Sequence, residues 1–146
     1  MLKLFSESTQ YAIQAMIHLS VNPEKRTMVS IIAEKENIPS QYLGKIAQIL
    51  SKHGLIKTTR GRSGGLILSC PPEDIKILDI VLAINGPYPD PEMCVFGLDF
   101  CVDSAPCPVH KEWKGLKEDI KKKLMNQNLR SLANELKKKH AMMRLE

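Results

Sequence analysis

No apolar run in this 146-residue chain approaches the ~20 residues that a membrane-spanning helix requires. Nor does the chain open on an apolar leader segment, so the expected setting is a reducing cytoplasm in which thiols stay free. The glycine-rich stretch Arg60–Gly65 lacks the GxxxxGK(S/T) spacing of a nucleotide phosphate loop, and it opens into a strand-like run rather than a helix. There is no paired acid–base motif of the kind an enzyme would carry. Cysteine is scarce, at four residues, and none sits in the CxxC knuckle of an ordinary zinc finger. At this length the chain is one domain, with room for a small appended arm.

Three of those four cysteines are nonetheless crowded together. Between residues 94 and 110 the chain reads Cys94-x6-Cys101-x5-Cys107-Pro-Val-His110, and the intervening Gly97, Asp99, Asp103, Ser104 and Pro106 carry neither helical nor strand periodicity. The segment is therefore expected to be a loop. Thiolates and neutral imidazole are the donors that iron–sulfur clusters and zinc prefer, and three cysteines with one histidine complete the ligand set of either. Two plainer interpretations compete. Buried small hydrophobes would suit an amphipathic face better than a Gly/Pro/Asp loop, and a disulfide would leave one of the three unpaired. Metal binding through Cys94, Cys101, Cys107 and His110 is favoured, and the wide spacing favours a cluster over zinc. Cys70, alone in the apolar stretch Leu66–Cys70, reads as a core residue.

Charge is distributed in three blocks. Residues 1–68 carry a net +5, residues 69–110 a net −6 and residues 111–146 a net +6, for a total of +5. Basic ends around an acidic middle suit a nucleic-acid binder with a separate sensing segment, although ordinary solvated faces would give the same sums.

The order of elements separates those two possibilities. Tyr11, Ala12, Ala15, Met16 and Leu19 recur at helical spacing, which predicts a first helix over 9–20 ended by Asn22-Pro23. Val29, Ile31, Ile32 and Ala33 begin a short second helix that stops at Asn37, a residue tolerant of the left-handed conformation. Ser40 is the expected N-cap of a third helix from Gln41 to His53, with Leu43, Ile46 and Leu50 inward and Gln41, Lys45, Gln48, Ser51 and Lys52 outward. Two helices joined by a short turn, the second polar and basic, make a helix-turn-helix. Strand-like residues 55–59 and 66–68 flank the tip Arg60-Gly61-Arg62-Ser63-Gly64-Gly65, a β-hairpin with two arginines among three glycines. Helix-turn-helix plus basic hairpin is a winged helix. Residues 78–85 form a short, nearly all-apolar helix ended by Gly86, which must be buried on several sides. A long helix over about 108–127 bears the apolar stripe Val109, Trp113, Leu116, Ile120 and Leu124 opposite a lysine-rich face. Such a stripe in a small protein finds its partner in a second copy or in its own domain, and the second copy is favoured. Leu129, Leu132, Ala133 and Leu136 predict a last helix before a polar tail, Lys137–Glu146.

Taken in order, Tyr11-Ala12-Ile13, Ile38-Pro39-Ser40-Gln41-Tyr42-Leu43, His53-Gly54-Leu55-Ile56, the Arg60–Gly65 tip and Ile80-Val81-Leu82-Ala83-Ile84-Asn85-Gly86 form a specific series. On it the chain resembles, from about Phe5 to Leu136, the Rrf-two (BadM-type) bacterial transcription regulators, a family that includes an iron–sulfur cluster regulator and a nitric-oxide sensor. The resemblance implies a homodimer crossed through the long C-terminal helix, with a cluster loop at that helix's start. It matches Cys94, Cys101 and Cys107 to the family's cluster cysteines, and His110 to the histidine that completes a 2Fe–2S shell. Glu7 lies near an N-terminal acid that serves as ligand in some members and is carried as an alternative.

The expected architecture is thus mainly α with a small β-hairpin. Residues 1–70 form the winged helix-turn-helix head, and residues 71–146 the cluster loop and dimerisation helices. The function expected is that of a homodimeric DNA-binding repressor, not an enzyme, that senses iron–sulfur, redox or nitric-oxide status. Its preferred cofactor is a 2Fe–2S cluster, with 4Fe–4S second. The third helix would enter the major groove with Ser40, Gln41, Tyr42 and Lys45, with Lys52 on phosphate. Arg60, Gly61, Arg62, Ser63 and Gly64 would reach the adjacent minor groove of a near-palindromic operator. Trp113, Leu116, Ile120 and Leu124 would hold the dimer. The alternatives are a DNA-binding regulator with structural zinc, one without metal answering to a small molecule or thiol oxidation, and, more distantly, a small iron–sulfur electron carrier.

Overall fold

The computed structural model describes residues 4–90, 92–98 and 100–143; Asp99 and the last three residues of the expected polar tail lie outside them. Helix α1, Glu7–Val21, begins where the Ser6 hydroxyl accepts from the Thr9 N–H at 3.3 Å, and it buries Ala12, Ala15, Met16 and Leu19 along one face. Helix α2, Val29–Glu36, ends at Asn37, whose φ of 54° and ψ of 47° are the left-handed cap that turns the chain into Ile38. Helix α3, Ser40–Lys52, buries Leu43, Ile46, Ala47 and Leu50. Pro39, rather than Ser40, is its cap, and no side chain bonds the first turn. The pre-set φ of proline fixes the entry angle, so Ser40 becomes the first helical residue instead of the predicted N-cap.

Strands β1, Ile56–Thr59, and β2, Gly65–Leu68, pair antiparallel with Ile56 opposite Leu68 and Thr59 opposite Gly65. A third short rung joins them. Thr27 and Leu66 exchange backbone hydrogen bonds of 2.9 and 2.7 Å, which stitches the α1–α2 connection to the wing. A 3-10 turn, Pro72–Asp74, leads into α4, Ile77–Asn85, which buries Ile77, Leu78, Ile80, Val81 and Ala83, as its near-continuous apolar character requires. The Asn85 side chain at its end accepts from the fully buried Thr9 hydroxyl of α1 at 3.0 Å, satisfying a polar group that would otherwise be costly to bury.

Helix α5, His110–Asn126, starts two residues later than its periodicity suggests, because Pro108 and Val109 stay outside the helical turn. Helix α6, Leu129–Met143, runs well past Leu136, so residues 137–143 of the expected tail are helical. The α5–α6 junction is clamped to the base of α4: Ile77 N–H donates to the Gln127 carbonyl at 3.0 Å and Leu129 N–H to the Ile75 carbonyl at 2.8 Å. Leu129 and Ala133 then join the same core as α1, α3 and α4. Among the described residues no helix is long and apolar enough to cross a membrane.

Candidate DNA-reading head and cysteine loop

On α3, Ser40, Gln41, Tyr42, Lys45 and Lys52 all face outward, as the alternation of buried Leu43, Ile46 and Leu50 demands. Tyr42 is 54% exposed, yet its ring meets Tyr11 edge-on at 6.4 Å. An aromatic held this way loses little further freedom on contact. At the wing tip Arg60, Gly61, Arg62 and Ser63 are exposed. Gly64 is buried and closes the turn instead, its N–H donating to the Gly61 carbonyl at 3.0 Å. A Cβ on Gly64 would lie 2.4 Å from the Thr59 carbonyl oxygen. One on Gly65, whose φ is +136°, would lie 2.4 Å from that of Thr27. Glycine is required at both places by close backbone approach.

In the loop, Cys94 is buried and its thiol sits below the ordinary value. The chief cause is the Phe96 N–H donating to sulfur. Leu98, Cys107 and Gly97 add to it, against the opposing effect of burial. The chain can curl its amides toward one sulfur because Gly97 adopts a φ of +69°. His110, the first residue of α5, is buried with Nδ1 3.4 Å from Cys101 Sγ and Nε2 2.8 Å from Asp103 Oδ1. Lys114, one turn along, bonds the same carboxylate at 2.8 and 3.0 Å. Lys114 first, and His110 after it, hold Asp103 down to about 2. A carboxylate on Nε2 keeps the imidazole proton there and leaves the Nδ1 lone pair beside Cys101, the orientation in which metal-binding histidines are usually held.

The loop is pinned to α5 near Cys94. The Met93 carbonyl accepts from Trp113 Nε1 at 2.7 Å and from Lys117 Nζ at 3.3 Å, with that ammonium 5.9 Å from the Trp113 ring centre. The four predicted ligands thus stand as two pairs, Cys94 with Cys107 and Cys101 with His110. Among the described residues no three His, Cys, Asp or Glu side chains converge on one point. A cavity of about 780 Å³, walled by Leu82, Tyr88 and Lys121, opens beside Cys101 and His110. Glu7, the alternative ligand, lies in the exposed first turn of α1. Cys70 packs against the core, and burial first, with Asp74 and Asp79 after it, raises its thiol.

Helix α5 presents its stripe only half covered. Trp113, Ile120 and Leu124 are partly buried, Leu116 is 50% exposed, and the buried side chains on this helix are His110 and Lys117. Periodicity did not reveal the rung at Thr27 or the cations beside it, because a single bridging residue has no period. Asp103 carried no signal beyond its nearness to His110.

The chain matches the Rrf2 family, described as iron-dependent transcriptional regulators, over residues 5–135. An Aquifex aeolicus protein provisionally described as an HTH-type transcriptional regulator is 32% identical over 139 residues, 94% of this chain and 95% of that one. Among solved structures, CymR, the global cysteine regulator of B. subtilis, superimposes with a TM-score of 0.75 at 27% identity, over 92% of this chain and 98% of that one. T. potens IscR does so with a TM-score of 0.73 at 29% identity, over 92% and 88%. These are transcription regulators and not enzymes. The chain belongs to the Rrf2 family of DNA-binding transcription regulators.

Proposed function

We propose that this regulator is a homodimeric repressor. In this reading residues 1–70 bind a near-palindromic operator, while residues 71–146 hold an iron–sulfur cluster, 2Fe–2S in preference to 4Fe–4S, and the dimer contact. The observation that carries this is His110: buried on the first turn of α5, oriented from behind by Asp103, with its free nitrogen 3.4 Å from Cys101 Sγ. The donor chemistry fits the group. Cys94, Cys101 and Cys107 supply thiolates, with backbone N–H groups favouring the charged form at Cys94, and His110 supplies a neutral imidazole. A cluster bound by these residues would supply a centre reactive toward oxidants and nitric oxide. Bringing the two pairs of donors to one centre calls for movement of the loop, not of the core. Because His110 begins α5 and Trp113 holds Met93, such movement is passed directly to the helix bearing the dimer stripe.

On DNA, Gln41, Tyr42 and Lys45 would read base edges, with Ser40 and Lys52 on phosphate and Arg60, Arg62 and Ser63 in the minor groove. The half-covered stripe Trp113, Leu116, Ile120 and Leu124 favours a second copy as its cover. The test is anaerobic reconstitution with iron and sulfide, followed by absorption spectra and DNA titration of both forms. Visible absorption and a difference in DNA affinity between holo and apo protein are expected. A colourless product, or equal binding by both forms, overturns the sensing reading.

A second reading has its own support. The likeness to the cysteine regulator, with Cys94 in contact with Cys107, suits a metal-free regulator that answers to thiol oxidation or a small molecule. It and a structural zinc both predict a colourless protein, and metal analysis separates them.

A further inference from the structure

Between α2 and the wing runs a groove of about 400 Å³ that the head's known parts leave unexplained. Three separate elements bring cations to it: Lys25 and Arg26 from the α1–α2 connection, Lys35 from α2, and Arg62 from the wing tip, with Asn22 and Ser63 as neutral donors. No carboxylate is among its lining side chains. Of the acids next in sequence to these lysines, Glu36 is engaged by His18 at 2.7 Å, and Glu24 and Glu34 lie outside the groove's lining. The groove is also preformed. The Thr27–Leu66 rung and the Arg26 guanidinium on the Thr59 hydroxyl bind the connection to the wing, and Gly65 permits that approach. Lys25, Lys35 and Arg62 thus line one groove with no ion pair to a carboxylate among the described residues, an arrangement that favours an anion.

We propose that this groove seats a backbone phosphate of duplex DNA, held by Lys25 and Lys35 beside the wing tip from which Arg62 reaches the minor groove, and that it supplies affinity independent of sequence. The proposal rests on the DNA-binding reading of the head and adds to it a contact outside α3 and the outer wing. A phosphate is the fitting anion because two lysine point charges and the neutral Asn22 amide match its oxygens. The α1–α2 connection, usually a passive link, becomes part of the reading surface.

The test uses the full-length protein, an operator selected from a random duplex pool and a scrambled duplex of equal length. The double variant Lys25→Gln/Lys35→Gln removes two exposed side chains and is checked for native melting. The slope of log affinity against log salt is expected to fall by about 0.9 for each phosphate no longer neutralised, equally on both duplexes, with their affinity ratio unchanged. Gln41→Ala, by contrast, is expected to change the ratio and leave the slope. A set of operators each carrying one neutral methylphosphonate gives a second measurement on the unaltered protein. One position per half-site should weaken the parent and have no effect on the double variant. A double variant with the parent's slope, or the absence of such a position, overturns the phosphate seat while the DNA reading stands. A parent that binds neither duplex overturns both.

Discussion

The reading head and the cysteine loop differ in how far the chain alone determines them. In the head, each turn has a visible cause: Asn37 in the left-handed region, Gly64 and Gly65 where any Cβ would strike a carbonyl, and Thr27 locked to Leu66. Most of its apolar side chains are inside, with Val21, Met28, Ile31, Tyr42 and Ile49 among the large ones left exposed. In the loop the apolar side chains are outside, with Phe96 and Leu98 each 59% exposed and Phe100 70% exposed. Its polar anchors include Asp103 on His110 and Met93 on Trp113, both on α5. Contiguous exposed apolar side chains of this kind are the usual mark of a surface that meets another molecule. The head is closed by its own core and turns, whereas the loop presents its apolar side chains to solvent.

That contrast is most easily broken at the sulfur donors. Cys94→Ala, Cys101→Ala and Cys107→Ala are each expected to abolish the visible absorption of reconstituted protein, while urea unfolding of the apo form changes little. A variant with a much lower unfolding midpoint would show that the loop supports the core after all. Next in size, Ile120→Glu should turn dimers into monomers, since a carboxylate buried without a partner is strongly unfavourable. Light scattering that still shows dimers would assign the α5 stripe to the protomer's own packing.

Within the head, Gly65→Ala should destabilise by about 2–4 kcal/mol, from a strained φ together with a carbonyl too close for Cβ. An unchanged denaturation midpoint would mean that Thr27 can part from the wing. Arg60→Ala or Arg62→Ala should weaken operator binding by about 1–3 kcal/mol without altering stability, read by titration at fixed salt. The smallest effect is expected at His110→Ala, which should leave a labile or altered chromophore, because water or a small thiol can fill one ligand position. His110→Cys should restore a full ligand set with a lower reduction potential. If His110→Ala instead matches the cysteine variants, the imidazole is as essential as the thiolates.

Much of the head was legible from spacing alone. Leu43, Ile46 and Leu50 fall on one face of α3 because a 3.6-residue period leaves no other place for them, and the glycine-rich tip between two apolar runs could only be a hairpin. What escaped was set by contacts without local signatures. Residues 137–143 look like a solvated tail, yet α6 continues through them from the anchor of Leu129 and Ala133 and gains the Glu135–Lys138 pair at 2.9 Å. Ser40 has the chemistry of a cap but follows a proline that has already set the entry. In the loop the donor types were legible and their arrangement was not: spacing cannot say that Cys101 pairs with His110 and Cys94 with Cys107, nor that Asp103 stands behind the imidazole.

The clamp between Ile75–Ile77 and Gln127–Leu129 gives α5 a mechanical character. Fixed at its last turn and only half covered along its sides, the helix is a beam pinned at one end. Its 17 residues span about 25 Å, so a lateral shift of about 2 Å at His110 tilts it by about 5°. The pivot sits at the core and the handle at the loop. A displacement at the start of α5 would thereby become a rotation of its lysine-rich face and apolar stripe, with the hydrophobic core left at rest.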